Sequence, residues 1–407
     1  MYKRRILRVA ASLGVLLLAA LSPGRSLLSA QERGGLKIGD ISSYNRWAAF
    51  TVPYRNGWQL ALDEINAGGG VLGQKVTIVS RDDGATPTDA VRAAEELVTR
   101  DGATVLMGGY LSNVALAIAD YAKQKKVVYV ASIAATDSLT MDQGNRYTFH
   151  LRANVYMYAN MLAEQARALG VKRWAIVAPN YEFGHSAAEA FKKVLKERVP
   201  DVVFVAEQYP PLGKIDGGAI ANALEEAKPD GIFNALFGAD MAQFARDGIA
   251  RGLFDSRYVL SIASGYPEYL APMKDQVPIG WITHGYPWSE IDIPAHKKFV
   301  EDYRKKFGEP PGAFSMMGYV QLMMIRDAVE KAKSVAPDDI VTAMKGMRFD
   351  SIIGTLQVRA IDNKVSMGTW VGKLGVKNGV GAFVDWSFKD GANYMYPEAE
   401  VRARRKE

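Results

Sequence analysis

From Leu36 onward the chain alternates short apolar runs with longer stretches in which apolar residues recur every three or four positions. Residues 36–41 read as a strand. The helix that follows carries Trp58, Ala61, Leu62 and Ile65 on one face. Residues 76–80 predict the next strand, and Thr86-Pro87 then supplies an N-cap and a first-turn proline for a helix striped by Val91, Ala94, Leu97 and Val98. Strands at 104–107 and 127–130 flank a third helix over 112–124. Alternation on this spacing implies parallel βαβ units with right-handed crossovers.

The pattern restarts after about residue 150. Helices are expected at 155–169, 184–198, 215–227 and 240–251, interleaved with strands at 174–178, 202–206, 231–237, 258–262 and 279–283. Three more helices (294–307, 313–333, 337–346) and a Gly-rich, β-like tail complete the chain. The second set copies the first in architecture, without a detectable sequence repeat. The fold class is therefore α/β, with two doubly wound, Rossmann-like lobes. Arg402 to Glu407 are charged and expected to fray.

Residues 1–30 depart from this pattern. They hold Lys3, Arg4, Arg5, Arg8, Arg25 and no acid, and Val9 to Leu21 is an unbroken run of apolar or small residues. That run is too short for a comfortable membrane span but suits the core of a secretory signal peptide, with Ser29-Ala30 as the small-residue cleavage site. The formal charge of +6 is almost all there, since removing the segment leaves 45 basic against 44 acidic residues. A near-neutral mature chain gives no motive for nucleic-acid binding. With no cysteine, disulfides, thiolate metal sites and a lipidated N-terminus are excluded. An exported, periplasmic protein that is not a lipoprotein is expected.

Catalytic signatures are missing. Gly68 to Gly73 satisfies G-x-G-x-x-G, but it closes a helix and leads into a strand, the reverse of a dinucleotide loop, so a C-cap and turn are expected. Asp82-Asp83 end a strand and read as turn residues. The four histidines (His150, His185, His284, His296) show no ligand spacing. No phosphate loop, nucleophile elbow or metal cluster is found, so no catalytic residue, metal or cofactor is assigned. The informative chemistry lies at the C-terminal ends of the strands, where open α/β sheets bind ligands. Those loops hold Tyr44, Arg46 and Trp47; Tyr110 and Ser112; Ser132, Ala135 and Thr136; Tyr181 and Phe183; and Asp240. Hydroxyls and helix N-termini suit a carboxylate, and aromatics suit an apolar or ring-bearing body.

The stretch Asn56-Gly57 through Leu62-Asp63-Glu64-Ile65-Asn66-Ala67-Gly68-Gly69, followed by Gly73-Gln74-Lys75-Val76, resembles the periplasmic leucine/isoleucine/valine-binding proteins of ABC importers. The resemblance extends over nearly all of residues 36–390. It implies a type I periplasmic-binding-protein fold, two lobes joined by a three-crossover hinge. Lobe 1 would comprise 31–150 plus 286–350, and lobe 2 would comprise 151–285 plus 351–402. It further implies a monomer that binds a small molecule without transforming it and delivers it to an inner-membrane ABC permease. In such amino-acid binders the first lobe holds the carboxylate and an acid of the second lobe takes the ammonium, positions that fall here on Ser112 and Asp240. Departures stand beside the matches. Leu111-Ser112 replaces paired hydroxyls, Ala135 occupies the place of a threonine with Thr136 one residue on, and the first loop reads Tyr44-Asn45-Arg46-Trp47. A guanidinium at Arg46 could grip a carboxylate bidentately. Asp240 motivates a hydrophobic or branched-chain amino acid. Arg46, Trp47, Tyr110, Tyr156, Tyr181 and Phe183 motivate the alternative, an aromatic acid such as a benzoate or cinnamate.

Overall fold

A computed structural model describes residues 35–405; the expected signal peptide (1–30) lies outside the described residues. Five parallel strands, β1 (Lys37–Ser42), β2 (Thr77–Asp82), β3 (Val105–Gly108), β4 (Val128–Ala131) and β5 (Thr148–His150), form the first sheet in the order β2-β1-β3-β4-β5. Helices α1 (Ala48–Ala67), α2 (Pro87–Thr99) and α3 (Ser112–Lys125) connect them. The sequence signals act locally as expected. Thr86 accepts from the Asp89 N–H at 3.2 Å with Pro87 in the first turn. Gly68 closes α1, and Gly69 and Gly70 take φ values of +103° and +82°, which admit glycine readily. Asp82 and Asp83 accept from the backbone N–H groups of Gly84 and Ala85, as turn residues do.

The second sheet begins after α4 (Val155–Leu169). Its parallel strands are β6 (Arg173–Val177), β7 (Val203–Gln208), β8 (Gly231–Asn234), β9 (Tyr258–Gly265) and β10 (Ile282–Gly285), separated by α5 (Glu182–Arg198), α6 (Gly217–Ala227), α7 (Gly238–Ala250) and the short α8 (Pro267–Met273). The chain then returns to the first lobe for α9 (Pro294–Phe307), α10 (Ala313–Ala332) and α11 (Pro337–Met344). The helix pair α1 and α10 pack backbone to backbone: a Cβ at Gly57 would lie 1.9 Å from the Ser315 carbonyl oxygen. A hairpin, β11 (Arg348–Ser351) and β12 (Gly354–Gln357), leads back to the second sheet. There β13 (Thr369–Lys377) adds antiparallel to β10 and β14 (Val380–Lys389) antiparallel to β13, giving the order β14-β13-β10-β9-β8-β6-β7. Three crossovers thus join the lobes, after β5, after β10 and after β12.

Both sheets reverse strand order beside their first strand, at β1/β3 and β6/β8, so each lobe offers a topological switch point at its carboxyl edge. The tail differs from expectation. Glu398–Arg404 form a helix, α12, with Val401 buried; Arg404 pairs with Asp142, and Arg405 donates to the Asp362 carbonyl at 2.6 Å. The basic residues that suggested fraying are what fasten this segment. Among the described residues no helix is long and apolar enough to cross a membrane.

Candidate functional site

Loops after β3, β4, β6 and β8 meet β9, α8 and the start of α10 around one cavity. Its lining is Tyr110, Ser112, Ile133, Ala135, Arg152, Tyr181, Phe183, Phe237, Ile262, Ala263, Tyr269 and Phe314. The gap amounts to about 420 Å³ including its open mouth. Rings close on it from both lobes. Trp47 of the first lobe sits 5.4 Å from Phe237 of the second and 5.5 Å from Tyr110, while Phe50 stacks on Tyr110 at 5.8 Å and meets Tyr269 at 5.2 Å. Phe183 meets Phe237 edge-on at 5.8 Å.

One charge stands in this aromatic box. Arg152 lies on the first crossover, two residues past β5, and is 7% exposed. Its Nη1 donates to the Ile133 carbonyl; Nε and Nη2 donate to the Tyr158 hydroxyl at 3.3 and 3.0 Å, and that hydroxyl shares a 2.9 Å hydrogen bond with Tyr266. Three of its five N–H donors are used, leaving one on each terminal nitrogen. The guanidinium carbon stands 6.0 Å from the centroid of the Phe314 ring. Burial opposes the charge, but the hydroxyls of Tyr158 and Tyr266 more than offset it, so the guanidinium stays protonated. No carboxylate forms a salt bridge with it among the described residues. His284, its ring tilted against that of Tyr158 at 4.4 Å, is pushed down to about 3 by burial and by Arg152, so it adds no second charge.

The residues singled out from the sequence separate into three groups. Tyr110, Ser112, Ala135, Tyr181 and Phe183 line the cavity, and Trp47 backs it. Ser132 is fully buried without lining it. The others are engaged elsewhere. Tyr44 donates to the buried Asp40 at 2.6 Å, Arg46 is exposed, Thr136 donates to Glu182, and Tyr156 stacks on Tyr396 at 3.6 Å. Asp240, expected to receive an ammonium group, instead accepts from the Gly213 N–H at 2.7 Å; burial raises its pKa and that bond lowers it. No Asp or Glu lines the cavity.

Arg152, Phe237, Tyr269 and Phe314 were not singled out. For Arg152 a signal existed: a basic residue two positions past β5, at the carboxyl edge of the first sheet. Phe314 belongs to a helix outside the run of strand-end loops, and nothing local marks it.

Over residues 38–379 the chain matches the family described as periplasmic binding protein. A Leu/Ile/Val-binding protein homolog 7 of Brucella abortus is 27% identical over 356 residues, covering 82% of this chain and 85% of that protein. Two solved structures share the fold. One is a solute binding protein of an ABC transporter from Rhodopseudomonas palustris in complex with 3,4-dihydroxy benzoic acid, with TM-score 0.79 and 24% identity, covering 88% of this chain and 98% of that one. The other is a leucine-, isoleucine-, valine-, threonine- and alanine-binding protein from Brucella ovis in a closed conformation, with TM-score 0.80 and 20% identity, covering 89% and 97%.

Proposed function

This chain belongs to the periplasmic binding protein family, and from that premise we propose that it is the exported receptor of an ABC importer whose ligand is a single-ring aromatic carboxylic acid. Arg152 carries the reading. A buried guanidinium with two free donors, no acidic partner and aromatic walls is complementary to a carboxylate on a flat apolar body. An α-amino acid would bring an ammonium group into a cavity that already holds a cation and offers no carboxylate. That combination leaves a buried charge uncompensated. The amino-acid relatives are the source of the competing reading, and it requires Asp240 to leave Gly213 and turn inward.

The ligand enters between separated lobes, its carboxylate meets Arg152 from the crossover, and its ring is enclosed by Tyr110, Phe237 and Phe314 as the lobes meet. Binding shifts the population toward the closed form, which a permease reads. The receptor acts as a freely diffusing monomer in the periplasm.

A thermal-shift comparison of benzoate, 4-hydroxybenzoate and cinnamate with leucine, isoleucine, valine and phenylalanine tests the assignment. Stabilisation by the aromatic acids is expected, approaching 2.7 kcal/mol at about 100 times the dissociation constant. Stabilisation by the amino acids alone would reverse it.

A further inference from the structure

The crossovers after β5 and after β12 are stitched together by the loop Arg359–Val365. His150 N–H donates to the Asn363 carbonyl at 3.2 Å and Val365 N–H to the His150 carbonyl at 2.9 Å, a short parallel bridge. Asn363, at φ +60°, turns its amide onto the carbonyls of Asn145, Arg146 and Thr148 at 3.1 to 3.3 Å. Beside it Lys364, 1% exposed, sends its ammonium into a cage of four carbonyls: His150 at 3.0 Å, Leu151 at 3.2 Å, Val365 at 3.0 Å, and Arg152. Three of the four belong to consecutive residues ending at Arg152. No carboxylate forms a salt bridge with Lys364 among the described residues, because Asp362 is taken by Arg359.

We propose that Lys364 is a positioning residue for ligand binding: its ammonium gathers the carbonyls of His150, Leu151 and Arg152 and so sets the backbone from which Arg152 reaches the ligand carboxylate. The inference rests on the carboxylate reading above. A protonated amine has three N–H donors for four carbonyls, whereas the neutral amine has two and leaves the cage under-satisfied. Aim matters because a bidentate guanidinium–carboxylate contact tolerates little misplacement.

The charge can be lost in an accessible range. Burial pushes Lys364 down to about 7. The charged groups facing it are Asp362 and Arg359 on its own loop, Arg152 on the first crossover and Asp137 after β4. His150 is held well below its ordinary value by burial and by Lys364, and stays neutral. Asp137 is pushed up to about 7 by burial and would titrate alongside.

The test compares benzoate with the neutral benzamide by calorimetry. Lys364→Met should weaken benzoate about ten- to hundredfold, the range expected when hydrogen bonds to a charged group are mis-set, and leave benzamide nearly unchanged. Equal losses for both probes, or none in the folded variant, overturn the proposal while leaving the carboxylate reading intact. A native protein that does not prefer benzoate to benzamide overturns both. Should Lys364→Met not fold, the Asp137→Asn protein supplies the readout. Its benzoate-to-benzamide affinity ratio should fall between about pH 6 and about pH 9 as Lys364 deprotonates, and a flat ratio refutes the assignment.

Discussion

Replacing Arg152 with glutamine removes the charge and the fork of terminal donors, leaving a shorter, neutral amide in its place. The guanidinium is buried, partnered by a carbonyl and a phenol, and in no salt bridge among the described residues, with the buried Glu268 in electrostatic range. Truncating one side of a buried, hydrogen-bonded charge pair costs about 2–5 kcal/mol, so benzoate should bind roughly 30- to 5,000-fold more weakly. At a benzoate concentration of 100 times the native dissociation constant, the native protein gains about 2.7 kcal/mol. A variant weakened by about a hundredfold gains only about 0.4 kcal/mol. Urea unfolding with and without benzoate reads both numbers in one experiment. The ligand-free variant should still fold, less stable by about 1–3 kcal/mol for the hydrogen bonds that the guanidinium makes to Tyr158. Two results would refute the reasoning: a native-sized benzoate gain in the variant, or an equal loss of benzamide binding.

Asp240→Asn should leave benzoate affinity within about twofold by calorimetry, since the Gly213 N–H can still be accepted and no ligand ammonium is lost; a loss beyond tenfold would return the acid to the ligand. Asp40 is fully buried, and burial pushes it up to about 6 against the bonds from Ser80 and Tyr44. A carboxyl raised in the folded state stabilises fully below its unfolded pKa and loses that contribution as pH rises through about 6. Asp40→Asn should therefore be the more stable protein at pH 8, by up to about 3 kcal/mol, with the difference vanishing near pH 4 in urea titrations. Glu268, on the second-lobe helix α8, accepts from the Ala313 and Phe314 N–H groups at 3.1 and 2.9 Å and so caps the first-lobe helix α10. Glu268→Ala should cost about 1–2 kcal/mol of closure and weaken benzoate and benzamide alike; unchanged affinity for both would show that the contact does not favour the closed form.

Most of the fold was legible because its signals are local. Thr86-Pro87 starts a helix and Gly68 to Gly70 end one through bonds within a few residues, and the strands declare themselves by short apolar runs. The aromatic walls from Trp47, Tyr110, Tyr181 and Phe183 were also visible, because strand-end loops in doubly wound sheets converge whatever their sequence. The cation was harder to place. Arg46 and Arg152 both follow a strand closely, yet Arg46 turns to solvent while Arg152 is drawn inward by Tyr158, a residue of the next helix, and by the Ile133 carbonyl. Asp240 shows the converse. Its position at the start of α7 suggests a ligand contact, but the loop at Gly213, remote in sequence, covers it. Tertiary neighbours decide which of several equivalent loop residues faces the cavity.

On the carboxylate reading, the same neighbours would make closure depend on the ligand. Bringing the lobes together buries Trp47 against Phe237 and Phe50 against Tyr269, which favours the closed form with or without a guest. Arg152, held by the Ile133 carbonyl and the Tyr158 hydroxyl, presents its two remaining N–H donors to the same cleft. A buried contact between those donors and a carboxylate would be worth about 2–5 kcal/mol, against the roughly 5.5 kcal/mol needed to move a two-state equilibrium from 1:99 to 99:1. The carboxylate would make that contact in the closed state and gain little from Arg152 when the cleft is open and hydrated. The differential affinity for the closed form would then arise largely at the guanidinium, while the aromatic rings contribute affinity and select the shape of the guest.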